Sequence, residues 1–403
     1  MAGYSYLVVD KNGNTKKGSI EADTEEKAVA LLKADGYMPM EVTEQSLLTK
    51  DFNLEIGGKP NARDYSVFCR QFVSMTQAGV TLIDCLNMLG EQTNNKRLAK
   101  AIKEIQSDVE KGESLTSAMR AQKFFPSLLC SMVEAGEASG SLDVAFDRMA
   151  THFEKDAKIK GMIKKAAIYP ILVCVVAVGV VIVMLTTVIP SFTSMFADMD
   201  MELPGITVAV MNASDFVMSR WYIILIILVA IVFAIRWFKS TSFGEIFFAK
   251  IGLKIPLFGA LTVKTAAARF ARTVSTLLAA GISLVDCIEI TANIMDNRII
   301  KDALFGCKEE IVQGTPLSIP LQATGLFPPM VHQMTKIGEE AGDLEGLLEK
   351  LADYYEEEVE MATQSVMAAM EPMIIIVLAG VVGTLVGAVM APMAKMYEGL
   401  DNL

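Results

Sequence analysis

The chain carries one segment twice, at a fixed offset of 202 residues, and each copy ends in an apolar run long enough to cross a bilayer. Phe68 and Arg70 recur as Phe270 and Arg272, and residues 78–85, AGVTLIDC, recur at 280–287 as AGISLVDC. Gly112 matches Gly314, and Phe125 with Pro126 matches Phe327 with Pro328. GEASGSL at 136–142 answers to GEEAGDL at 338–344, and Pro170 and Pro190 answer to Pro372 and Pro392. The register never slips, so residues 68–190 and 270–392 are an ungapped duplication, and such a repeat constrains the architecture before any local pattern is read.

Hydrophobic residues make up 52% of the chain, and the excess lies in three blocks. Residues 168–190 and 372–392 contain no charge, and 221–238 is broken only by Arg236 near its end. About 20 apolar residues span a bilayer as a helix, so three transmembrane helices are predicted. Lys155, Lys158, Lys160, Lys164 and Lys165 precede the first, and Arg236, Lys239, Lys250, Lys254 and Lys264 lie at or beyond the end of the second. The intervening stretch 191–220 instead carries Asp198, Asp200, Glu202 and Asp215. Basic residues mark cytoplasmic flanks. Residues 1–167 and 239–371 are therefore expected inside, with an extracytoplasmic loop at 191–220 and an extracytoplasmic tail at 393–403. A direct repeat of a soluble domain followed by an exit helix needs one returning helix. The second span has no counterpart in the repeat and supplies that crossing. The only tryptophans, Trp221 and Trp237, stand at its two ends, where aromatic belts form. The N-terminus has neither the apolar length nor the flanks of a cleavable signal.

The fold class is mainly α: two repeated cytoplasmic helical bundles, three transmembrane helices and a small N-terminal α+β module. Phe68, Phe72 and Met75, like Phe270, Val274 and Leu277, fall at i, i+4 and i+7 of a first helix. Gly79 and Gly281 then stop it. Gly112 and Gly314 end another helix, and Pro126 and Pro328 suit a first helical turn. Leu142, Ala145, Phe146, Met149 and Phe153 form one stripe of a long last helix, as do Leu344, Leu347, Leu348, Leu351 and Tyr355. The bundles are placed at 63–167 and 265–371, with a cytoplasmic connector at 239–264. In the module at 1–45, strands are expected near 4–9, 16–20 and 40–42, a hairpin turn at 10–13 and a helix over 24–36. Residues 46–62 are expected as a linker in which Phe52, Leu54 and Ile56 could dock as a strand.

Several constellations admit both a structural and a functional reading. Gly136, Glu137 and Gly140, with Gly338, Glu339 and Gly342, suit a tight corner that aims the long helix. Alternatively, Glu137 and Glu339 contact a partner or an oxygen-ligated cation. The cation is left open, since calcium takes six or more oxygens. No Lys-Ser or Lys-Thr pair follows these glycines, so a phosphate loop is rejected. Arg70 and Arg272 sit on otherwise apolar helices and are expected to pair internally, with Asp84 and Asp286 as candidate partners, or to bind a partner protein. His152 and His332, the only histidines, show no metal or nucleophile spacing. Pro170, and Glu371 with Pro372, fall where the long helices reach the membrane. There a proline kinks a helix or starts a new one, and Glu371 either suits the start of a helix or signals motion into the membrane. Gly383 and Gly387 form a small-xxx-small face for helix packing. The six cysteines lack any CxxC or metal spacing and read as free thiols in a reducing compartment. A net charge of −11 argues against nucleic acid.

The doubled pattern F-x-R, AG-x-x-L, F-P and GE-x-x-G-x-L, with VIPSFTSMFADMDMELPGIT after the first span, resembles the inner-membrane platform proteins of type IV pilus and type II secretion machines, the PilC/GspF family. The resemblance covers nearly the whole chain. It implies a non-enzymatic, cofactor-free, self-associating protein in the lipid bilayer. It further implies engagement by a hexameric cytoplasmic assembly ATPase, contact with pilin or pseudopilin subunits, and contact with other inner-membrane machine components. A transporter or channel built from a direct repeat is the alternative; there, however, the repeats are mostly membrane helices. The sequence leaves open extension, retraction, secretion or DNA uptake, and the oligomeric state.

Overall fold

The computed structural model describes residues 2–9, 15–22, 24–34, 38–44, 58–188, 190–191 and 205–401. It divides into two compact units, residues 1–58 and 59–403. In the first, β1 (Ala2–Val9), β2 (Thr15–Ala22), α1 (Glu25–Ala34) and β3 (Met38–Glu44) form an antiparallel sheet of order β2-β1-β3 with one helix. The register sets Tyr4 opposite Ile20 and Tyr6 opposite Val42. All three strands run longer than predicted. The predicted hairpin turn at 10–13 and the strand around Phe52 lie outside the described residues.

The second unit is helical and reproduces the repeat element by element. Copy one comprises α2 (Ala62–Gln77), α3 (Leu82–Gln92), α4 (Lys96–Glu110), α5 (Leu115–Ala121), α6 (Ser127–Ser139) and α7 (Leu142–Val183). After α8 (Gly205–Lys239) and α9 (Ser242–Lys254), copy two follows as α10 (Phe258–Ala279), α11 (Leu284–Asn293), α12 (Arg298–Val312), α13 (Ser318–Thr324), α14 (Pro329–Ala341) and α15 (Leu344–Asp401). Local chemistry explains the matching boundaries. Thr81 and Ser283 accept the N–H of Asp84 and Asp286, both at 3.3 Å, and so cap α3 and α11. Asn95 and Asn297 each accept two amides at the starts of α4 and α12. Gly79 and Gly281 end α2 and α10 with φ of 81° and 76°.

Each bundle buries the same face. In copy one Phe68 packs edge-on against Phe125 and Phe146, and Phe146 stacks on Phe72 at 3.9 Å between centroids. Copy two keeps Phe270 against Phe327 at 5.4 Å but fills the stacked pair's places with Val274 and Leu348, both fully buried. Six helices of this density close one core per bundle, and the two cores are continuous through α7, α10 and α15.

Two helices among the described residues are long and apolar enough to cross a membrane, one at 142–188 and one at 344–391. Both continue out of a bundle without a break. Pro170 lies inside α7 and Pro372 inside α15, so neither proline starts a new helix. Each removes one backbone donor, a loss that the rest of the helical ladder tolerates. After Val183 the first of them continues as a π-helical turn, Met184–Val188. The third predicted span, 221–238, lies in α8, whose chain is helical on both sides of a break at Arg220 (φ −130°, ψ 27°). The second part of the expected loop, residues 205–219, is therefore helical, and residues 192–204 lie outside the described residues. The expected tail is likewise helical as far as Asp401. The pair α9 and α10 is also apolar, bent by 104° at its junction. Phe270, Val274 and Leu277 of α10 are buried in the bundle, so α10 does not need a bilayer to cover it.

Candidate functional site

The acidic corner resolves into three separate tasks. Gly140 and Gly342 end α6 and α14 in the left-handed conformation, each at φ 71°, where a side chain would be strained. The N–H of Ser141 returns to the Gly136 carbonyl at 2.8 Å, and that of Asp343 to Gly338 at 3.0 Å, closing the helix ends. Gly136 and Gly338 let the next helix approach. A Cβ on Gly136 would stand 2.7 Å from the Ala145 Cβ, and one on Gly338 would stand 2.9 Å from the Leu344 Cα. Between them, Glu137 reaches across to the start of α5. Its Oε1 accepts the N–H of Leu115 at 2.9 Å, and its Oε2 accepts the N–H and hydroxyl of Thr116 at 3.1 and 2.7 Å. Glu339 does the same for α13, accepting from the N–H of Leu317 and from the N–H and hydroxyl of Ser318, the latter two at 3.2 and 2.6 Å. An anion at a helix N-terminus satisfies orphan amides and the helix dipole together. Partial burial opposes ionisation of Glu137, yet the Thr116 hydroxyl and the two amides hold its carboxyl below the ordinary 4.5. Both carboxylates are committed to helix capping. Among the described residues no group of three or more His, Cys, Asp or Glu converges on a metal position.

The arginines pair internally, but not with the predicted aspartates. Asp84 and Asp286 instead accept the hydroxyls of Thr81 and Ser283, at 2.7 and 2.5 Å, within their own helix caps. The arginines lie along the last helix of their own copy. Arg70 donates to Asp147 at 2.7 Å and to Glu154 at 2.8 Å. Arg272 donates to Glu356 at 2.8 Å and also to Asp353. Glu154 and Glu356 are repeat equivalents, so one ion pair occurs twice in different surroundings. Arg70 and Glu154 are 44% and 63% exposed, whereas Arg272 and Glu356 are 12% and 13% exposed.

The burial of the second pair comes from the first copy, whose α7 packs against α10 and α15. Lys155 of α7 donates to Glu356 at 2.8 Å and approaches Asp353 at 3.4 Å, and Lys158 faces Glu360 at 3.5 Å. Asp156 meets Arg269 of α10 at 3.4 Å. The hydrogen bond that Lys155 donates to Glu356 raises this lysine above its ordinary value. Partial burial opposes ionisation of Asp353, but Arg272 and Lys155 outweigh it and hold it low. Lys155, Asp156, Arg269, Arg272 and Glu356 border a cleft of about 290 Å³ between the copies. His152 lines it, buried, with no hydrogen-bond partner on Nδ1 among the described residues. Burial pushes this imidazole down to about 4. Sequence reasoning missed Glu154, Glu356 and Lys155. The first two were signalled by the repeat itself, because a glutamate recurs at the same offset.

Near the far ends of the spans, Leu185, Val210, Leu385 and Ala388 form a small separate core. The Thr207 hydroxyl donates to the Ala388 carbonyl at 2.8 Å, and that of Ser214 donates to Leu185. Gly383 does not make this contact: it is exposed, and a Cβ built on it meets nothing within 4 Å. Gly387 is half-buried and Glu371 is exposed. The helix face packed inside the chain is thus that of Leu385 and Ala388, because α8 begins against it. All six cysteines are unpaired; only Cys174, in α7, is exposed.

Comparison with known proteins places this arrangement. A family model described as type II secretion system protein F matches residues 68–190 and 270–392, the two halves of the duplication. The model for the N-terminal domain of the same family matches residues 1–43. The type IV pilus assembly protein PilC of Thermus thermophilus is 36% identical, covering 100% of both chains. That of Myxococcus xanthus is 37% identical over 93% of this chain and 90% of its own. The type II secretion system protein F of Vibrio cholerae is 30% identical over 98% of each. With both copies of its repeat and its N-terminal module matched end to end, the chain belongs to the type II secretion system protein F family, which includes the PilC proteins of type IV pilus assembly.

Proposed function

We propose that this chain is the non-enzymatic inner-membrane platform of a type IV pilus or related type II secretion machine. In this role it couples a hexameric cytoplasmic ATPase to the insertion or removal of pilin or pseudopilin subunits. The observation that carries the reading is the pairing of two cross-bridged bundles with helices that run from bundle to apolar span without interruption. A protein built this way offers two similar surfaces to a motor and a rigid connection from each surface into the bilayer. The full-length similarity to proteins named for type IV pilus assembly supports the choice of machine.

The geometry also favours the predicted topology. Met184–Val188, the start of α8 and the stretch around Leu385 meet in one small core apart from that of the bundles. The spans 168–190 and 372–392 then exit the same way, and 221–238 returns the chain toward the bundles. The N-terminus and both bundles are cytoplasmic in this arrangement, and the C-terminus is outside.

The test is photocrosslinking in cells from both copies. A crosslinking amino acid is placed at Lys100 of α4 and at its repeat equivalent Asp302 of α12, both on the surface. Capture of the ATPase from at least one site, with loss of pili in a strain lacking the chain, is the expected result. Failure of both sites in an assembled machine defeats the coupling. ATP turnover by the purified chain, or solute flux in proteoliposomes, would move the assignment to an enzyme or a transporter.

A further inference from the structure

The helix α9 begins three residues after α8 ends, and one of its faces is left bare. Gly244 and Ala249 are buried, and the Ala249 carbonyl accepts the Asn297 side chain at 3.1 Å, so one face is fixed to the second bundle. On the other face Phe243, Ile246, Phe247 and Ile251 are exposed, followed by Ile255 and Leu257. Phe243 is 71% exposed and Trp237, just before the turn, 72%. In water, apolar surface of this extent on a rigid helix is unfavourable.

The backbone is built to hold that face in place. A Cβ on Gly244 would lie 1.9 Å from the Phe238 carbonyl oxygen, and one on Gly259 would lie 2.3 Å from that of Leu253. Both ends of α9 are therefore closed against their neighbours. Leu257 is the only residue other than glycine with positive φ among the described residues (φ 68°, ψ −52°). The Phe258 N–H bonds the Pro256 carbonyl at 2.9 Å, so Leu257 is the centre of a γ-turn of the strained hand. A strained turn here, where glycine would fit without penalty, keeps an apolar side chain pointing away from the bundle.

Charge identifies what covers the face. Lys239, Lys250 and Lys254 are exposed beside the apolar residues and make no ion pair among the described residues, although the chain as a whole is strongly acidic. Glu245, the one acid of α9, is taken up by Arg298 at 3.6 Å. Apolar residues flanked by lysines, beginning three residues beyond a helix that ends in Arg236, Trp237 and Lys239, fit the headgroup layer of an anionic leaflet.

We propose that α9 and the turn at Leu257 form an interfacial helix that binds anionic phospholipid on the side of the membrane where α8 ends, seating the second bundle on the leaflet. This rests on the placement of 221–238 as a span. The test uses the full chain in nanodiscs of phosphatidylcholine, with and without phosphatidylglycerol. Cys174→Ser removes the one exposed thiol. Spin labels are then placed singly through Phe247→Cys on the bare face, Val229→Cys within the span and Asp302→Cys in water. Collision with oxygen reports lipid, and collision with a nickel chelate reports water.

The expected result is an oxygen-accessible, nickel-shielded label at 247, less deep than at 229. With Lys250→Glu and Lys254→Glu together, or without phosphatidylglycerol, nickel access at 247 should rise roughly twofold. If 247 matches 302 while 229 stays deep, the span stands and the interfacial helix is refuted. A label at 247 shielded from both reagents means that protein covers the face, which also overturns the proposal. Nickel access at 229 removes the span itself.

Discussion

Glu137 and Thr116 are joined twice, through the Thr116 hydroxyl at 2.7 Å and its N–H at 3.1 Å, and the same bond pair recurs between Glu339 and Ser318. Glu137→Ala should leave three donors at the start of α5 without their acceptor, at a cost of about 2–3 kcal/mol. Glu137→Gln should cost less, because one acceptor oxygen remains. Thermal unfolding of the detergent-solubilised chain measures both. Since capping uses the carboxylate fully, adding calcium or a chelator should leave the melting temperature unchanged.

The twin arginines should differ in their contribution to stability. Arg70→Ala removes a pair that is about half exposed and should cost under about 1 kcal/mol. Arg272→Ala strands Glu356 in the interface between copies with only Lys155 left, and should cost about 3 kcal/mol or more. Denaturant unfolding of the two variants side by side gives the comparison. Equal effects would contradict the burial of the second pair by α7.

His152 should give stability a pH dependence of defined sign. Burial lowers its folded value to about 4 from an ordinary 6.5; Asp156 and Glu356 pull upward, while Arg272 and Arg269 push further down. Between these values the unfolded chain binds the proton and the folded chain does not. Stability is therefore undiminished above about pH 6.5 and falls as pH drops toward 4, by about 1.4 kcal/mol per pH unit. His152→Leu should flatten that window. The contribution of Glu137 is present above its ordinary 4.5 and is lost as pH falls below that, because its folded value is lowered.

Two glycines of the first copy should respond oppositely to alanine. Gly136→Ala drives a Cβ to 2.7 Å from that of Ala145 and should destabilise the α6–α7 corner by about 1–3 kcal/mol. Gly161→Ala, in α7 with open space around it, should be neutral or stabilise by up to about 1 kcal/mol. The difference in melting temperature between the variants is the measurement.

The bundles were legible in the sequence because the signals were local and doubled. Helix stops at Gly79 and Gly281, and stripes ending at Phe153 and Tyr355, carry period and punctuation in the chain itself. The GE corner was read as a turn, but the partner of its glutamate was not. Leu115 and Thr116 lie 22 and 21 residues from Glu137, and no spacing rule links a carboxylate to the start of an earlier helix. The same holds for Arg272, whose acids lie 81 and 84 residues away. Asp84 looked available as a partner because sequence does not reveal that a neighbouring hydroxyl, Thr81, already holds it. The acidic company of residues 205–219 suggests a loop, whereas Thr207 and Ser214 dock that stretch on carbonyls of other helices.

The exits of the two copies differ mechanically. At about 1.5 Å per residue, α15 is a shaft of about 87 Å, helical throughout its 58 residues from the bundle to Asp401. The exit of α7 instead passes at Met184–Val188 from α-helix into a π-helical turn. Torque applied to the second bundle would meet unbroken α-helix along its exit, while torque applied to the first would meet this π-helical turn. Two handles of nearly identical shape would thus act on one uniform exit helix and one interrupted exit helix.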